Sequence, residues 1–145
     1  MRFVRQAAGL LALAAAVGCG GGGPPMAEVE GVITSGGKPL DKIQVEFWPE
    51  ASGPRSFGKT DANGRYTLTT DDGSKTGAVV GQHRIVLRDL TQYGDKIVGR
   101  GGENKDLSGG KKNRIPGPYS DTEKTPARKA VAAGTKNKID VEVKP

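Results

Sequence analysis

One histidine, one cysteine and a few carboxylates in turns are the residues from which any chemistry of this chain would have to be built. His83 stands alone, so neither a histidine cluster nor the paired His and Glu ligands of a zinc site can form from it. Its spacing places it in phase with Ile85 and Leu87, which predicts a core-edge histidine rather than half of a Ser–His dyad. Cys19 is the only cysteine, which excludes an intrachain disulfide and leaves a cysteine-based metal site incomplete. Asp61-Ala62-Asn63-Gly64 has the spacing that opens a calcium loop. The twelfth position is Asp72 instead of a bidentate Glu, however, and hairpin-turn chemistry accounts for the same residues. Gly99-Arg100-Gly101-Gly102, with Lys111, Lys112 and Arg114, lacks the Gly-Lys-(Ser/Thr) of a phosphate loop. It also lacks the repeated Arg-Gly and interleaved aromatics of RNA-binding segments, so no nucleic-acid partner is expected. A solvated loop accounts for it, and an anionic glycan or lipid headgroup is the ligand it would suit. Trp48 is out of phase with Ile43, Val45 and Phe47. It would either pack beneath a loop on the outer face or, with Tyr93, Arg100, Lys111 and Lys112, offer a platform to a sugar. No catalytic residue, metal site or cofactor is predicted.

The first nineteen residues supply a different kind of chemistry. Arg2 and Arg5 form a positive front, Ala7 to Val17 an apolar stretch of eleven residues, and Ala16-Val17-Gly18 a small-residue run before Cys19. That is the layout of a secretory signal, and it is too short to span a bilayer. Gly20-Gly21-Gly22-Gly23-Pro24-Pro25 then reads as a linker, flexible first and stiffer later.

From Glu28 onward apolar and polar residues alternate, the period of a half-buried strand. Val29, Gly31 and Ile33 share a face, as do Ile43, Val45 and Phe47, with Gln44, Glu46 and Trp48 opposite. Phe57–Thr60 and Arg65–Thr69 flank the Asp-Ala-Asn-Gly hairpin signal, after which Tyr66 and Leu68 face the core. His83, Ile85 and Leu87 oppose Arg84, Val86 and Arg88. A weaker strand near Arg128–Ala132 precedes Lys138–Lys144, whose Ile139, Val141 and Val143 form one apolar face. Gly 23 and Pro 9 make up about a fifth of the 145 residues, and no amphipathic helix of useful length appears. The expectation is all-β: a seven-stranded sandwich in one domain. A loop at about 89–125 interrupts it, mobile in its first part and packed through Ile115 and Tyr119 in its second. The net charge of +6 falls to +4 for a chain starting at Cys19 (20 basic, 16 acidic). Both signs interleave with no long basic run, the pattern of a solvated surface.

Two resemblances follow from these residues. Ala16-Val17-Gly18-Cys19 resembles a bacterial lipoprotein signal, usually Leu-(Ala/Ser)-(Gly/Ala)-Cys, with Ala16 in place of Leu. The resemblance implies cleavage after residue 18, a thioether-linked diacylglycerol on Cys19 and often a further acyl chain such as palmitate on its amine. Two or three chains give lasting membrane attachment. It places the chain in the cell envelope, with the outer membrane as one destination because no Asp follows Cys19.

The remainder resembles the carboxypeptidase regulatory-like (transthyretin-like, prealbumin-type) domains found in bacterial, especially planctomycete, lipoproteins. The resemblance runs through Val29–Thr34, Gly37-Lys38-Pro39-Leu40, Val45-Glu46-Phe47, Thr60–Tyr66, Gly81–Ile85, Ile115–Tyr119 and the final strand. It implies a prealbumin-like Greek key and a non-catalytic accessory module that contacts an envelope protein or polysaccharide. Transthyretin-related hydroxyisourate hydrolases use several His and Arg residues and a C-terminal Tyr-Arg-Gly-Ser, whereas this chain ends Glu142-Val143-Lys144-Pro145. The expected organisation is thus a signal peptide at 1–18, acylated cysteine and linker at 19–27, and the β domain at 28–145. A structural or interaction module on a lipid tether is the expected function, and an envelope glycan-binding module the alternative.

Overall fold

The computed structural model describes residues 22–99 and 105–145; Cys19 and Arg100 lie outside them. Those residues form an all-β fold of short strands, with two 3-10 turns at Leu90–Tyr93 and Gly117–Ser120. The strands are β1 (Met26–Ala27), β2 (Val29–Ser35), β3 (Lys38–Pro39), β4 (Ile43–Pro49), β5 (Ser56–Lys59) and β6 (Arg65–Thr67). They continue with β7 (Thr69–Thr70), β8 (Ala78–Val79), β9 (Gly81–Asp89), β10 (Arg128–Val131), β11 (Asn137–Lys138) and β12 (Val141–Val143).

One sheet has the order β10-β9-β4-β5-β7, every pair antiparallel. The other is built on β2. Antiparallel β6 and β3 flank it on one side, and β11 and β12 run parallel to it on the other. Gly31 is the point of closest approach: a Cβ there would stand 1.8 Å from the Ile139 carbonyl oxygen, so only glycine lets β2 and the C-terminal segment meet. Between β11 and β12 the ladder is bridged by a side chain, the Val32 N–H donating to Asp140 Oδ1 (2.9 Å).

The alternation fixes what each sheet buries. Ile43, Val45, Phe47, Ile85 and Leu87 of the first sheet share one core with Val29, Ile33, Tyr66, Val141 and Val143 of the second. Phe47 and Tyr66 meet across it with ring centroids 6.3 Å apart, and Tyr66 donates its hydroxyl to the Ile139 carbonyl (2.6 Å). Burial of that phenol, helped by the Asp140 charge, pushes its pKa up.

Three expectations change. Met26 and Ala27, read as linker, form a strand against β8 with Ala27 in the core, so the folded domain begins before residue 28. Where seven short strands were expected, the described residues form twelve strand segments, five of them only two residues long. The chain crosses between sheets at Leu68: β6 pairs with β2, β7 with β5. The first part of the 89–125 stretch, expected to be mobile, is packed at Leu90 and Val98; residues 100–104 lie outside the described set. Ile115 and Tyr119 are buried as the sequence predicts, and Tyr119 accepts from the Lys144 N–H (3.1 Å).

Candidate functional site

The most heavily built polar cluster lies on the outer face of the first sheet, at residues whose alternation reads as solvent-facing. Glu46 points away from the core, as the period of two requires, yet is only 1% exposed. Its Oε1 accepts from Gln44 Nε2 (2.9 Å) and Arg88 Nε (2.7 Å). Its Oε2 accepts from Trp48 Nε1 (2.9 Å) and Arg55 Nη1 (3.0 Å). β4 supplies the alternate residues Gln44, Glu46 and Trp48 at strand spacing. Its neighbour β9 supplies Arg88 opposite Gln44, and the segment before β5 supplies Arg55. Arg55 Nε in turn donates to both carboxylate oxygens of Asp71 (3.0 and 2.9 Å), and its guanidinium lies over the Trp48 ring at 4.7 Å.

Val98 roofs this cluster. Gln44 Nε2 donates to the Val98 carbonyl (2.9 Å) and the Val98 N–H donates to Gln44 Oε1 (2.8 Å), a two-bond clasp between sheet and crossing segment. A carboxylate has about four lone-pair directions, and each oxygen of Glu46 already takes two donors. No direction is left for a substrate proton. The cluster is a strut that holds the crossing segment on the sheet, and chemistry at Glu46 would require dismantling it.

A second clamp fixes the other end of the same segment. Arg114 donates through Nε and Nη2 to Asp89 (3.0 and 2.7 Å), and through Nη1 and Nη2 to the side chain and carbonyl of Asp41 (3.0 and 2.9 Å). Burial works against ionisation of Asp89, but the Arg114 side chain and amide and the Thr91 hydroxyl outweigh it and hold the carboxyl below its usual range.

The predicted residues do not converge. Trp48 is half-buried, one face taken by Arg55, near the end of β4 that pairs with Arg84. Tyr93 is half-buried in the turn beyond Asp89, which pairs with Ile43 at the opposite end of β4. Five strand steps of about 3.3 Å make that separation of the order of 16 Å. Lys111 and Lys112 are exposed on the Tyr93 side. His83 lies within the core, 1% exposed, with Nε2 on the Val79 carbonyl (2.6 Å), Nδ1 without a partner and the Phe47 ring 5.4 Å away. Asp61 Oδ1 accepts from the amides of Asn63 (2.8 Å) and Arg65 (3.0 Å) while Gly64 sits at φ 71°, so the turn itself uses the group that a calcium ion would need. No three His, Cys, Asp or Glu side chains converge to hold a metal among the described residues.

Sequence reasoning missed Gln44, Glu46, Arg55, Arg88 and Asp71 because polar residues out of phase with a core are ordinarily solvated. One signal was available: two arginines in one strand, Arg84 and Arg88, lying within pairing distance of a strand carrying Glu46 and Trp48. Concave surface flanks this cluster, in a groove of about 380 Å³ lined by Gln44, Arg55, Phe57, Asp71, Asp72 and Ile97, and is found elsewhere too. A groove of about 610 Å³ crosses β2 and β6, lined by Glu30, Lys59, Asp61, Arg65, Tyr66 and Lys138, with charges of both signs. Compared with protein-family models, curated proteins and solved structures, the chain matches none.

Proposed function

We propose that this chain is a non-catalytic lipoprotein of the bacterial cell envelope, tethered through acylated Cys19 and presenting its β domain to an envelope protein or polysaccharide. One observation carries the reading. The chain's single cysteine follows a positive front, a short apolar run and Ala16-Val17-Gly18, and precedes a Gly/Pro stretch that ends where β1 begins. A lone cysteine placed anywhere else would not have this meaning. The domain is read as a prealbumin-like, carboxypeptidase regulatory-like Greek-key sandwich. Two sheets on one core, with β2 and the short C-terminal strand β12 side by side in one of them, support that reading. The non-catalytic part is supported by Glu46, whose acceptor directions are filled within the fold, and by His83, buried with Nε2 on the Val79 carbonyl.

The test is a Cys19→Ser chain expressed in a bacterial host and followed by fractionation and by metabolic labelling with an alkynyl fatty acid. The unaltered chain should label and remain with membranes, and the variant should do neither. Equal membrane retention of the variant, or the absence of label on the unaltered chain, removes the proposal.

A further inference from the structure

β4 and β9 run the length of the first sheet, and their two ends differ. At one end β1 enters beside β8, and the Val80 N–H donates to the Pro25 carbonyl (2.9 Å). At the other, β9 passes into the turn Leu90–Tyr93, and β4 begins after Lys42. Eight residue steps along β9 put these ends about 26 Å apart.

Lysines gather at the second end. Lys42 Nζ pairs with Asp95 Oδ2 (2.7 Å), and Lys59 Nζ donates to the carbonyl of the same residue (3.3 Å). The Lys42 hydrogen bond is the main reason the Asp95 carboxyl lies below its ordinary range, with Lys59 and Lys111 contributing through their charge. Lys96 follows Asp95 and Lys112 follows Lys111, both exposed. Lys105 is exposed two residues before Leu107, whose N–H donates to the Gln92 carbonyl (2.8 Å).

The neighbouring carboxylates are largely occupied: Asp41 and Asp89 by Arg114, Asp95 by Lys42, Asp106 by the Ser108 amide and, in the groove that Ile97 lines, Asp71 by Arg55 and Asp72 by the Thr70 and Ser74 hydroxyls. The described part of the 89–114 segment, with Asp41, Lys42, Arg55, Lys59, Asp71 and Asp72 beside it, holds eight basic and six acidic residues. Lys96, Lys105, Lys111 and Lys112 are the segment's own exposed cations.

A lysine cluster alone suits any polyanion, and its neighbours decide which. Ile97 (44% exposed) and Leu107 (47%) are the exposed large apolar side chains among the described residues, and both stand on this same segment. A hydrated polysaccharide offers aliphatic side chains no burial. The acyl boundary of a bilayer does, at roughly 25 cal/mol per Å², and lysines can bury their stems beside them while their ammoniums stay at the headgroups.

We propose that this end of the domain, with Lys96, Lys105, Lys111 and Lys112 around Ile97 and Leu107, is a docking surface for an anionic lipid bilayer. It lies at the far end of β9 from where the linker enters, so it is a contact separate from any anchor at Cys19 and does not rest on that anchor. Its failure and that of the anchor are read in different experiments.

The experiment titrates the unacylated full chain, Cys19→Ser, with phosphatidylcholine vesicles and with vesicles that also carry phosphatidylglycerol. Affinity should be at least about tenfold higher for the anionic vesicles at about 0.1 M salt, and the difference should collapse near 0.5 M. Residues 1–18 contribute equally to every variant, so differences between variants report on the domain. Lys105→Gln/Lys111→Gln/Lys112→Gln should lose most of the anionic preference, about fivefold per lysine. Ile97→Ser/Leu107→Ser should weaken binding several-fold without changing the salt dependence. All five positions are exposed, so the fold, checked by circular dichroism, should be unaltered. Equal binding by the lysine variant overturns the proposal. So does an Ile97→Ser/Leu107→Ser chain that binds vesicles undiminished while soluble polyuronate binds with the same salt dependence, an outcome that assigns the surface to a polysaccharide.

Discussion

Glu46 is a carboxylate with four donors, two of them guanidinium groups, and 1% exposure, an arrangement in which the partners depend on the charge as much as the charge depends on them. Removing the charge at constant shape leaves two arginines facing a neutral amide and turns one acceptor into a donor. Arg55 keeps Asp71 and Arg88 is partly open to water, so the loss falls toward the lower end of what breaking a buried pair costs. Glu46→Gln should therefore destabilise the domain by about 3 kcal/mol in urea unfolding. A change below about 0.5 kcal/mol, the range of an ordinary surface substitution, would show that the cluster does not hold the outer face. Trp48 belongs to the same unit. Its indole N–H and one ring face are already engaged, which is why its out-of-phase position does not produce an open platform.

Among the elements, β1 has the least to hold it: two residues, paired only with the two of β8. Its docking depends on Gly77, which sits at φ 89° with the Ala27 carbonyl oxygen 2.0 Å from where a Cβ would stand. An alanine there faces both an unfavourable backbone region and a collision with backbone that cannot swing aside. Gly77→Ala should release β1 while leaving the central pair β4 and β9 intact. Hydrogen exchange would read this directly. The Val80 amide, which donates to Pro25, should lose protection, while amides of Val45 and Leu87 keep theirs. Unchanged protection at Val80 would mean that β1 is held by something other than this pairing. The described part of the 89–115 segment contrasts with β1 although, beyond the turn at Leu90–Tyr93, it has no regular structure. It is fixed at Val98 by Gln44 and at Arg114 by Asp89 and Asp41, so side chains do for it what a ladder does for a strand.

At the scale of the molecule, the two sheets share one core, and His83 is the imidazole inside it. Burial pushes His83 below the ordinary imidazole range, against the Val79 carbonyl and the Glu50 charge, which act the other way. The unfolded chain therefore binds a proton more readily than the folded one. Stability from this residue is fully present above about pH 6.5, the unfolded value, and declines as pH falls from there toward the lower folded value. The carboxyl groups with shifted values are depressed, so their contributions are lost at lower pH still, below about 4. Unfolding free energy measured between pH 7 and pH 5 should fall with acid, and in His83→Phe that slope should vanish whatever the substitution does to absolute stability. A slope that survives the substitution would place the proton elsewhere.

The strand pattern was legible because a period of two is a local property. Val29, Ile33, Ile43, Val45, Phe47, Ile85, Leu87, Val141 and Val143 are buried where alternation put them. The turn at Asp61–Gly64 was legible for the same reason, since its hydrogen bonds span four residues or fewer. The signal and lipid site rest on sequence alone, as Cys19 lies outside the described residues. What alternation does not say is whether a polar face meets water. Glu46, Gln44 and Asp89 became interior only when residues 9 to 54 positions away in the chain folded over them. Tertiary structure also decided that Trp48 and Tyr93 stand at opposite ends of β4, and that Lys42 and Lys59, 17 positions apart, both meet Asp95. Spacing along a chain sets which face a side chain takes. Only the path of the whole backbone sets what that face will meet.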